Sequence, residues 1–158
     1  MNKELSKELL NYIRLYPDKV KWGGICSDIE LSESFIREFQ NYVDWWNISW
    51  RQTLSIDFIR EFSDYLNWSN ICFYQSLSEE FIREFNKRVV WFDISLMQTL
   101  SEDFIKEFQN DVNWNNICRS QKLSKSFIIQ FVDKIKFNKI IRNSNISKEV
   151  KDYCRMFL

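Results

Sequence analysis

The chain has 158 residues, about one domain with room for a sizeable core, and its 22 basic and 22 acidic side chains give a formal net charge of zero. It contains no His, two Gly and one Pro. The lack of His removes the commonest general base and metal ligand. Scarce Gly and Pro disfavour an all-β fold and glycine-rich phosphate loops. We therefore expect a protein without catalytic activity, cofactor or metal.

The distribution of charge and hydropathy indicates the compartment. Residues 1–10 lack the apolar core of a signal peptide, and no apolar run reaches the roughly 18 residues of a membrane span. We expect a soluble intracellular protein that is not secreted and does not span a membrane. Residues 1–118 carry 12 basic and 19 acidic side chains, whereas residues 119–158 carry 10 and 3. The chain is therefore predicted to be acidic towards its N-terminus and basic towards its C-terminus.

A motif of 23 residues recurs without gaps along the chain. An aliphatic residue stands at position 1 and Ser at position 2, with Phe-Ile at positions 5 and 6 of the regular copies, Phe at position 9 and an aromatic residue at position 15. Position 1 is occupied by Leu31, Leu54, Leu77, Leu100, Leu123 and Ile146, and position 15 by Trp22, Trp45, Trp68, Trp91, Trp114 and Phe137. A fixed period of about 20 to 50 residues is typical of a solenoid.

The repeats define the expected organisation of residues 1–158 as a single α-solenoid domain. Residues 1–30 are interpreted as an N-terminal capping repeat, which contains Pro17 and a Gly-Gly pair. Residues 31–145 form five regular repeats. Residues 146–158 are interpreted as a C-terminal cap, in which Val150 and Cys154 replace the phenylalanines. Terminal repeats of an array are commonly atypical in this way.

Two helices are predicted in each repeat, because the apolar positions 1, 5, 6, 9 and 13, and again 15, 18, 19 and 22, follow helical spacing. The Ser at position 2 is expected to cap a first helix of about three turns. Asp44, Asn67 and Asn113 are expected to cap a second helix of about two turns. Ion pairs on the outer face are predicted between Glu33 and Arg37, Glu79 and Arg83, and Glu102 and Lys106. The predicted fold class is therefore all-α, a solenoid of about six and a half helix–turn–short-helix repeats.

The motif LSEEFIREF at residues 77–85, followed by V-x-W and IS-x-x-Q, resembles tandem repeats in proteins of mimivirus-type giant DNA viruses. The resemblance covers the chain from about residue 8 to residue 158. It implies a viral protein that acts inside the cell, in the host cytoplasm or in the virion. It implies no particular activity.

Several polar columns recur at fixed positions and are interpreted as structural. Cys26, Cys72 and Cys118 lie two repeats apart, about 20 Å at ordinary helix spacing, so they are not expected to share a disulfide or a metal ion. Two columns of polar residues are expected to bond buried backbone groups of the next turn; they comprise Gln52, Gln75, Gln98, Gln121 and Asn47, Asn70, Asp93, Asn116. The alternative is a ligand groove lined by amides.

Positions 16, 20 and 21 vary between repeats and are predicted to point outward from the short helix. Their apolar side chains are expected to be substantially exposed and contiguous across three repeats. Exposed apolar patches commonly mark interaction sites, and Trp, Tyr and Arg are typical of interface hot spots. The predicted partner surface comprises Trp46, Trp50, Arg51, Phe73, Tyr74, Phe92, Leu96 and Met97. The alternative is that these residues pack between repeats or line the interior of the solenoid.

These features favour a protein–protein interaction module, an adaptor or sequestering scaffold whose protein partner could be a host factor. One alternative is a structural role in a virion or array, where opposite charges at the two ends favour head-to-tail self-association. Another is nucleic-acid binding, which zero net charge disfavours. Its basic patch would comprise Arg119, Lys122, Lys125, Lys134, Lys136, Lys139 and Arg142.

Overall fold

The protein is an all-α repeat solenoid in the computed structural model, which describes residues 5–158. The remaining residues 1–4, part of the predicted N-terminal cap, lie outside the described part. A 3-10 turn covers Pro17–Lys19. The α-helices of the described chain are α1 (Lys7–Leu15), α2 (Trp22–Asp28), α3 (Glu33–Glu38), α4 (Trp45–Arg51), α5 (Ile56–Glu61), α6 (Trp68–Tyr74), α7 (Glu79–Glu84), α8 (Trp91–Met97), α9 (Glu102–Glu107), α10 (Trp114–Ser120), α11 (Lys125–Gln130), α12 (Phe137–Ile140) and α13 (Lys148–Arg155).

The chain divides into two compact units. Unit 1 ends at Gln75 and holds α1 to α6, and unit 2 spans Ser76–Leu158 and holds α7 to α13. Within unit 1, α4 packs against α2 and α6. Within unit 2, α10 packs against α8 and α12, and α12 packs against α13. In each unit, consecutive short helices therefore stack on one another, as a repeat array requires.

The first helix of each repeat begins where the sequence predicts. Its N-cap is the Ser at position 2, whose hydroxyl accepts a hydrogen bond from the backbone N–H three residues later. Ser6 and Ser147 cap α1 and α13 in the same way, which extends the pattern to both ends of the described chain. The predicted helix starts at Ser32, Ser55, Ser78, Ser101 and Ser124 are confirmed.

The predicted length of the first helix is wrong. Helices α3, α5, α7, α9 and α11 each have six residues instead of about three turns. In repeat two the helix ends at Phe39, whose backbone leaves the helical region at φ −112° and ψ 26°. The chain then makes another turn, in which the N–H of Val43 donates to the carbonyl of Phe39. This turn keeps the four-residue spacing of a helix, so the apolar pattern continues after the helix has stopped.

The second helix matches its prediction. Helices α2, α4, α6, α8 and α10 each begin at the Trp of position 15 and have seven residues, about two turns. Asp44, Asn67 and Asn113 cap α4, α6 and α10 through their side-chain oxygens. Val90 precedes α8 and provides no side-chain cap.

The core is formed by the same positions in every regular repeat. Phe58, Phe81, Phe104 and Phe127 at position 5 are fully buried, as are the Ile residues at positions 6 and 18. The Trp at position 15 is half-buried, and in Trp22, Trp45, Trp68 and Trp114 the indole N–H donates to the carbonyl five residues earlier, as in Trp45 to Gln40 at 3.1 Å and Trp114 to Gln109 at 2.9 Å. This bond satisfies the polar end of a ring whose apolar body packs on the next repeat.

Ion pairs connect neighbouring repeats on the outer face. Arg14 pairs with Glu38 at 2.7 Å, and Arg37 pairs with Glu61 at 2.9 Å, in unit 1. Arg83 pairs with Glu107 at 2.8 Å in unit 2. The predicted pairs of Arg37 with Glu33 and of Arg83 with Glu79 are also present. Exposed pairs of this kind contribute about 0–1 kcal/mol each, so they add little beside the core.

The predicted pair between Glu102 and Lys106 is wrong. The ammonium of Lys106 lies 3.1 Å from Asp103 instead. The carboxylate of Glu102 accepts bonds from the backbone N–H and the hydroxyl of Ser124, which begins the next repeat. Glu33 and Glu79 accept the equivalent backbone bonds in their own units. In repeats two, four and five an acid at position 3 therefore ties the repeat to the N-cap of the following one, whereas repeats three and six have Ile56 and Lys125 there.

Candidate functional site

The Gln column at position 22 is structural, as predicted. The side-chain oxygen of Gln121 accepts from the N–H of Leu100 at 3.0 Å, and its amide nitrogen donates to the carbonyls of Ser95 and Gln98. Gln75 makes the same set of bonds in unit 1. These side chains are buried with their hydrogen-bonding groups satisfied by backbone, although Gln98 and Gln121 also line a cavity together with Asn145.

The second polar column, at position 17, also bonds backbone. The amide of Asn70 donates to the carbonyl of Trp46 at 3.3 Å, and that of Asn116 donates to the carbonyl of Phe92 at 3.0 Å. Both carbonyls belong to position 16 of the preceding repeat. The amides of Asn70 and Asn116 therefore hold successive short helices together, whereas that of Asn47 donates to the carboxylate of Asp44 in its own repeat.

Position 19 alternates between Cys and Ser because either can accept one particular hydrogen bond. The backbone N–H of Asp44 donates to the sulfur of Cys26 at 3.4 Å, and that of Asn67 donates to the hydroxyl of Ser49 at 2.9 Å. Burial raises the pKa of the Cys26 thiol to about 11 and also raises the pKa of Cys118. The thiols therefore stay protonated near neutral pH, which suits a packing role and not a nucleophilic one.

The varied face of unit 1 carries an aromatic cluster, which comprises Trp46 and Trp50 of α4 and Phe73 and Tyr74 of α6. The rings of Trp46 and Trp50 meet edge to face with centroids 5.0 Å apart. The centroid of Trp50 lies 6.2 Å from that of Tyr74, which in turn lies 4.7 Å from that of Phe73. The cluster thus forms one continuous surface across two repeats.

A single cation stands at the edge of the aromatic cluster. The guanidinium carbon of Arg51 lies 3.6 Å from the ring centroid of Trp50, within cation–π range. Arg51 is exposed and makes no ion pair within residues 5–158. Its charge is therefore available to a carboxylate from another molecule.

The predicted partner surface is only partly exposed. Trp46 and Tyr74 are each 51% exposed in unit 1, and Phe92 and Met97 are 54% and 45% exposed in unit 2. Three further residues that we expected to be exposed are half-buried: Trp50, Phe73 and Leu96. In repeats two to four, position 20 is therefore more buried than positions 16 and 21, whereas Arg119 and Arg142 at position 20 are exposed.

The predicted basic patch of unit 2 is divided among three cavities. Lys122 and Lys125 line one, and Lys134 and Lys136 line another. The ammonium of Lys134 also donates to the carbonyl of Gln109 and lies over the ring of Trp114. The third cavity brings together Arg119, Lys139 and Arg142. None of these three cavities therefore gathers all seven basic residues.

Within residues 5–158, no group of three or more His, Cys, Asp or Glu side chains is arranged to hold a metal ion. The four cysteines are free and buried. No described helix has the length and apolar character needed to cross a membrane.

Comparison of the chain with protein-family models, with curated proteins and with solved structures found no match.

Sequence reasoning missed the convergence of the three cations of unit 2. The signal was available, since Arg119 and Arg142 both occupy position 20, and Lys139 interrupts the amide column at position 17. Grouping the seven cations by their proximity in sequence predicts one basic patch. Grouping them by their position in the repeat would have predicted that these three converge.

Proposed function

We propose that the chain is a non-catalytic protein–protein interaction module whose partner docks on the aromatic cluster of unit 1. The observation that supports this is the continuous ring surface from Trp46 to Tyr74, with both end rings half exposed. The fixed positions of the repeat already account for the core, so nothing in the fold requires large aromatic side chains at positions 16 and 21. Clustered exposed aromatics of this kind are typical of interface hot spots.

The chemistry of the cluster defines the partner segment. Apolar side chains of the partner would pack on the faces of Trp46 and Tyr74, while a carboxylate would meet the unpaired guanidinium of Arg51. Because that guanidinium already stacks on Trp50, it is preorganised for such an ion pair. We therefore infer a partner segment that combines apolar anchors with Asp or Glu.

The resemblance to repeats of giant DNA viruses extends this proposal to the biological setting. In that setting the module acts inside the host cell, as an adaptor or as a sequestering protein, and a host factor is its partner. Such a role requires a rigid surface and no reacting group, which suits an array of stacked helices.

The test is site-specific cross-linking in the producing cells. A photoreactive phenylalanine analogue replaces Trp46 in one variant and Tyr12, an exposed tyrosine of α1 outside the cluster, in the control. The proposal expects a discrete cross-linked protein from position 46, absent from position 12, whose contact peptide contains apolar and acidic residues. With that partner purified, Tyr74→Ala should weaken binding about thirtyfold, equivalent to about 2 kcal/mol, and leave helicity unchanged.

Three outcomes would contradict the proposal. Cross-links between copies of this chain would favour a self-assembling structural role. Cross-links to nucleic acid would favour nucleic-acid binding as the function. A protein partner whose affinity is unchanged by Tyr74→Ala and Arg51→Gln would mean that the aromatic cluster is not the docking surface.

A further inference from the structure

We propose that a cavity in unit 2 binds the dianionic phosphate group of a phosphate monoester. The cavity has a volume of about 460 Å³ and is lined by Arg119, Lys139, Arg142 and Ser144. This volume lies within the range of about 300–1,000 Å³ that is usual for small-molecule sites. We call it the cationic cavity.

The cationic cavity is formed by equivalent positions of successive repeats. Arg119 and Arg142 stand 23 residues apart at position 20 of successive repeats. The packing of α10 against α12 brings these equivalent positions side by side. Both guanidinium groups are exposed, and neither makes an ion pair within the described chain. Two guanidinium groups, each a fork of N–H donors, therefore line the same cavity.

Lys139 carries the third cation of the cationic cavity and occupies position 17, a column in which Asn47 bonds the carboxylate of Asp44 in its own repeat. At position 17 the amides of Asn70 and Asn116 donate to a carbonyl of the preceding repeat. The side chain of Lys139 makes no such bond, although it is half-buried and lines the cationic cavity. The ammonium of Lys139 thus has no acceptor within residues 5–158, and a bound anion would supply one.

The donor set favours a phosphate monoester over other anions. Arginine forks match phosphate oxygens in bidentate geometry, and the hydroxyl of Ser144 adds a further donor. No carboxylate lines the cavity to oppose a second negative charge. A monoester carries a charge of about −1.5 to −2 at neutral pH and has three strong acceptor oxygens, whereas a diester carries a single charge.

The cavity lacks the features expected of a single-stranded nucleic-acid site. No aromatic side chain lines it, so bases would have no stacking platform. The basic residues Lys122, Lys125, Lys134 and Lys136 line other cavities of unit 2. The arrangement is suited to one phosphate group with several partners.

The experiment is isothermal titration of the full chain at low salt with a phosphoserine peptide, with adenosine monophosphate and with the unphosphorylated peptide. Lys139→Asn is the main variant, because Asn already occupies position 17 in other repeats and the scaffold should accept it. Arg142→Gln is the second variant. Lys122→Asn removes one charge from a different cavity of unit 2 and serves as the matched control.

The proposal expects both cavity variants to weaken phosphate binding about tenfold, the usual loss of a charged hydrogen bond, while Lys122→Asn stays within about twofold. Tighter binding of the peptide would assign the phosphate to a phosphorylated side chain, and tighter binding of the nucleotide would assign it to a small-molecule ligand; either result supports the site. Equal weakening in all three variants would indicate only general electrostatic attraction and would overturn the proposal. Binding of a dimethyl phosphate diester as tightly as the monoesters would overturn it as well.

Discussion

Repeats two and three of unit 1 and repeats five and six of unit 2 share one scaffold but differ in surface chemistry. Of the varied positions, position 20 is aromatic in the first pair and cationic in the second. In unit 1 the Trp45 ring lies 6.4 Å from Phe58 and 5.0 Å from Phe62. In unit 2 the Trp114 ring lies 6.2 Å from Phe127 and 5.2 Å from Phe131. Position 20 nevertheless holds Trp and Phe in the first pair of repeats and Arg in both repeats of the second.

This comparison separates two kinds of position within the repeat. Positions 5, 6, 9, 15, 18, 19 and 22 are apolar, or are bonded to backbone, in both units, and they carry the stability of the fold. At positions 16 and 20 the side-chain chemistry changes from one repeat to another, whereas at position 21 Ser120 and Asn143 bond backbone carbonyls of the preceding repeat. In a solenoid, where each repeat contacts only its neighbours, such changes stay local.

The largest expected loss of stability comes from truncating a buried Phe, and it tests whether the two units depend equally on their Phe layer. Phe58→Ala in unit 1 and Phe104→Ala in unit 2 each remove a fully buried ring. In both cases a guanidinium carbon lies 4.9 Å from the centroid of the truncated ring. Each variant should lose about 3–5 kcal/mol of unfolding free energy, measured by urea denaturation.

Leu15→Ala is the control for these two variants, because Leu15 is an exposed residue of α1 and should change stability by less than about 0.5 kcal/mol. A large loss from only one of the two Phe variants would break the comparison. It would mean that one unit depends less on its Phe layer than the shared geometry implies.

An intermediate effect is expected from the buried amides. Gln75→Leu and Gln121→Leu each leave one backbone N–H and two carbonyls without their side-chain partner. Because an unsatisfied buried group costs about 1–3 kcal/mol, we expect a loss of at least about 2–3 kcal/mol for each variant. Thermal and urea unfolding measure it.

Gln130→Leu is the matched control for the amides, since Gln130 is exposed at the end of α11. Its stability should stay close to that of the parent chain. Gln75 and Gln121 variants as stable as the control would show that the amide column is dispensable in both units.

The fold could be predicted from the sequence largely because its signals are local and repeated. Six of the seven Ser N-caps, and the Trp or Phe that begins each short helix, recur with a period of 23 residues. Each copy of the motif therefore supports the prediction for the others. The end of the first helix was not predictable, because the turn from Phe39 to Val43 keeps helical spacing without being a helix.

The candidate surfaces were only partly predictable from the sequence. The period shows which positions vary, so the residues of the aromatic cluster could be named from the sequence. How deeply Trp50 lies among its neighbours, and which cations share a cavity, depend on side-chain directions between repeats. The sequence places Lys122 and Arg119 close together, but the structure assigns them to different cavities.

The smallest expected effect tests whether position 20 is independent of the scaffold. Arg119→Trp places in unit 2 the residue that occupies the same position in repeat two of unit 1. Arg119 is exposed and makes no ion pair within residues 5–158, so its replacement breaks no interaction that the fold needs. The melting temperature should therefore correspond to a change within about 0.5 kcal/mol. Ile117→Arg, two residues earlier on α10 at a fully buried position, is the contrast and should unfold the repeat, because an unpaired charge would enter the core. If Arg119→Trp destabilised the chain as strongly as Ile117→Arg, position 20 would belong to the scaffold, and the division between conserved core and specialised surface would fail.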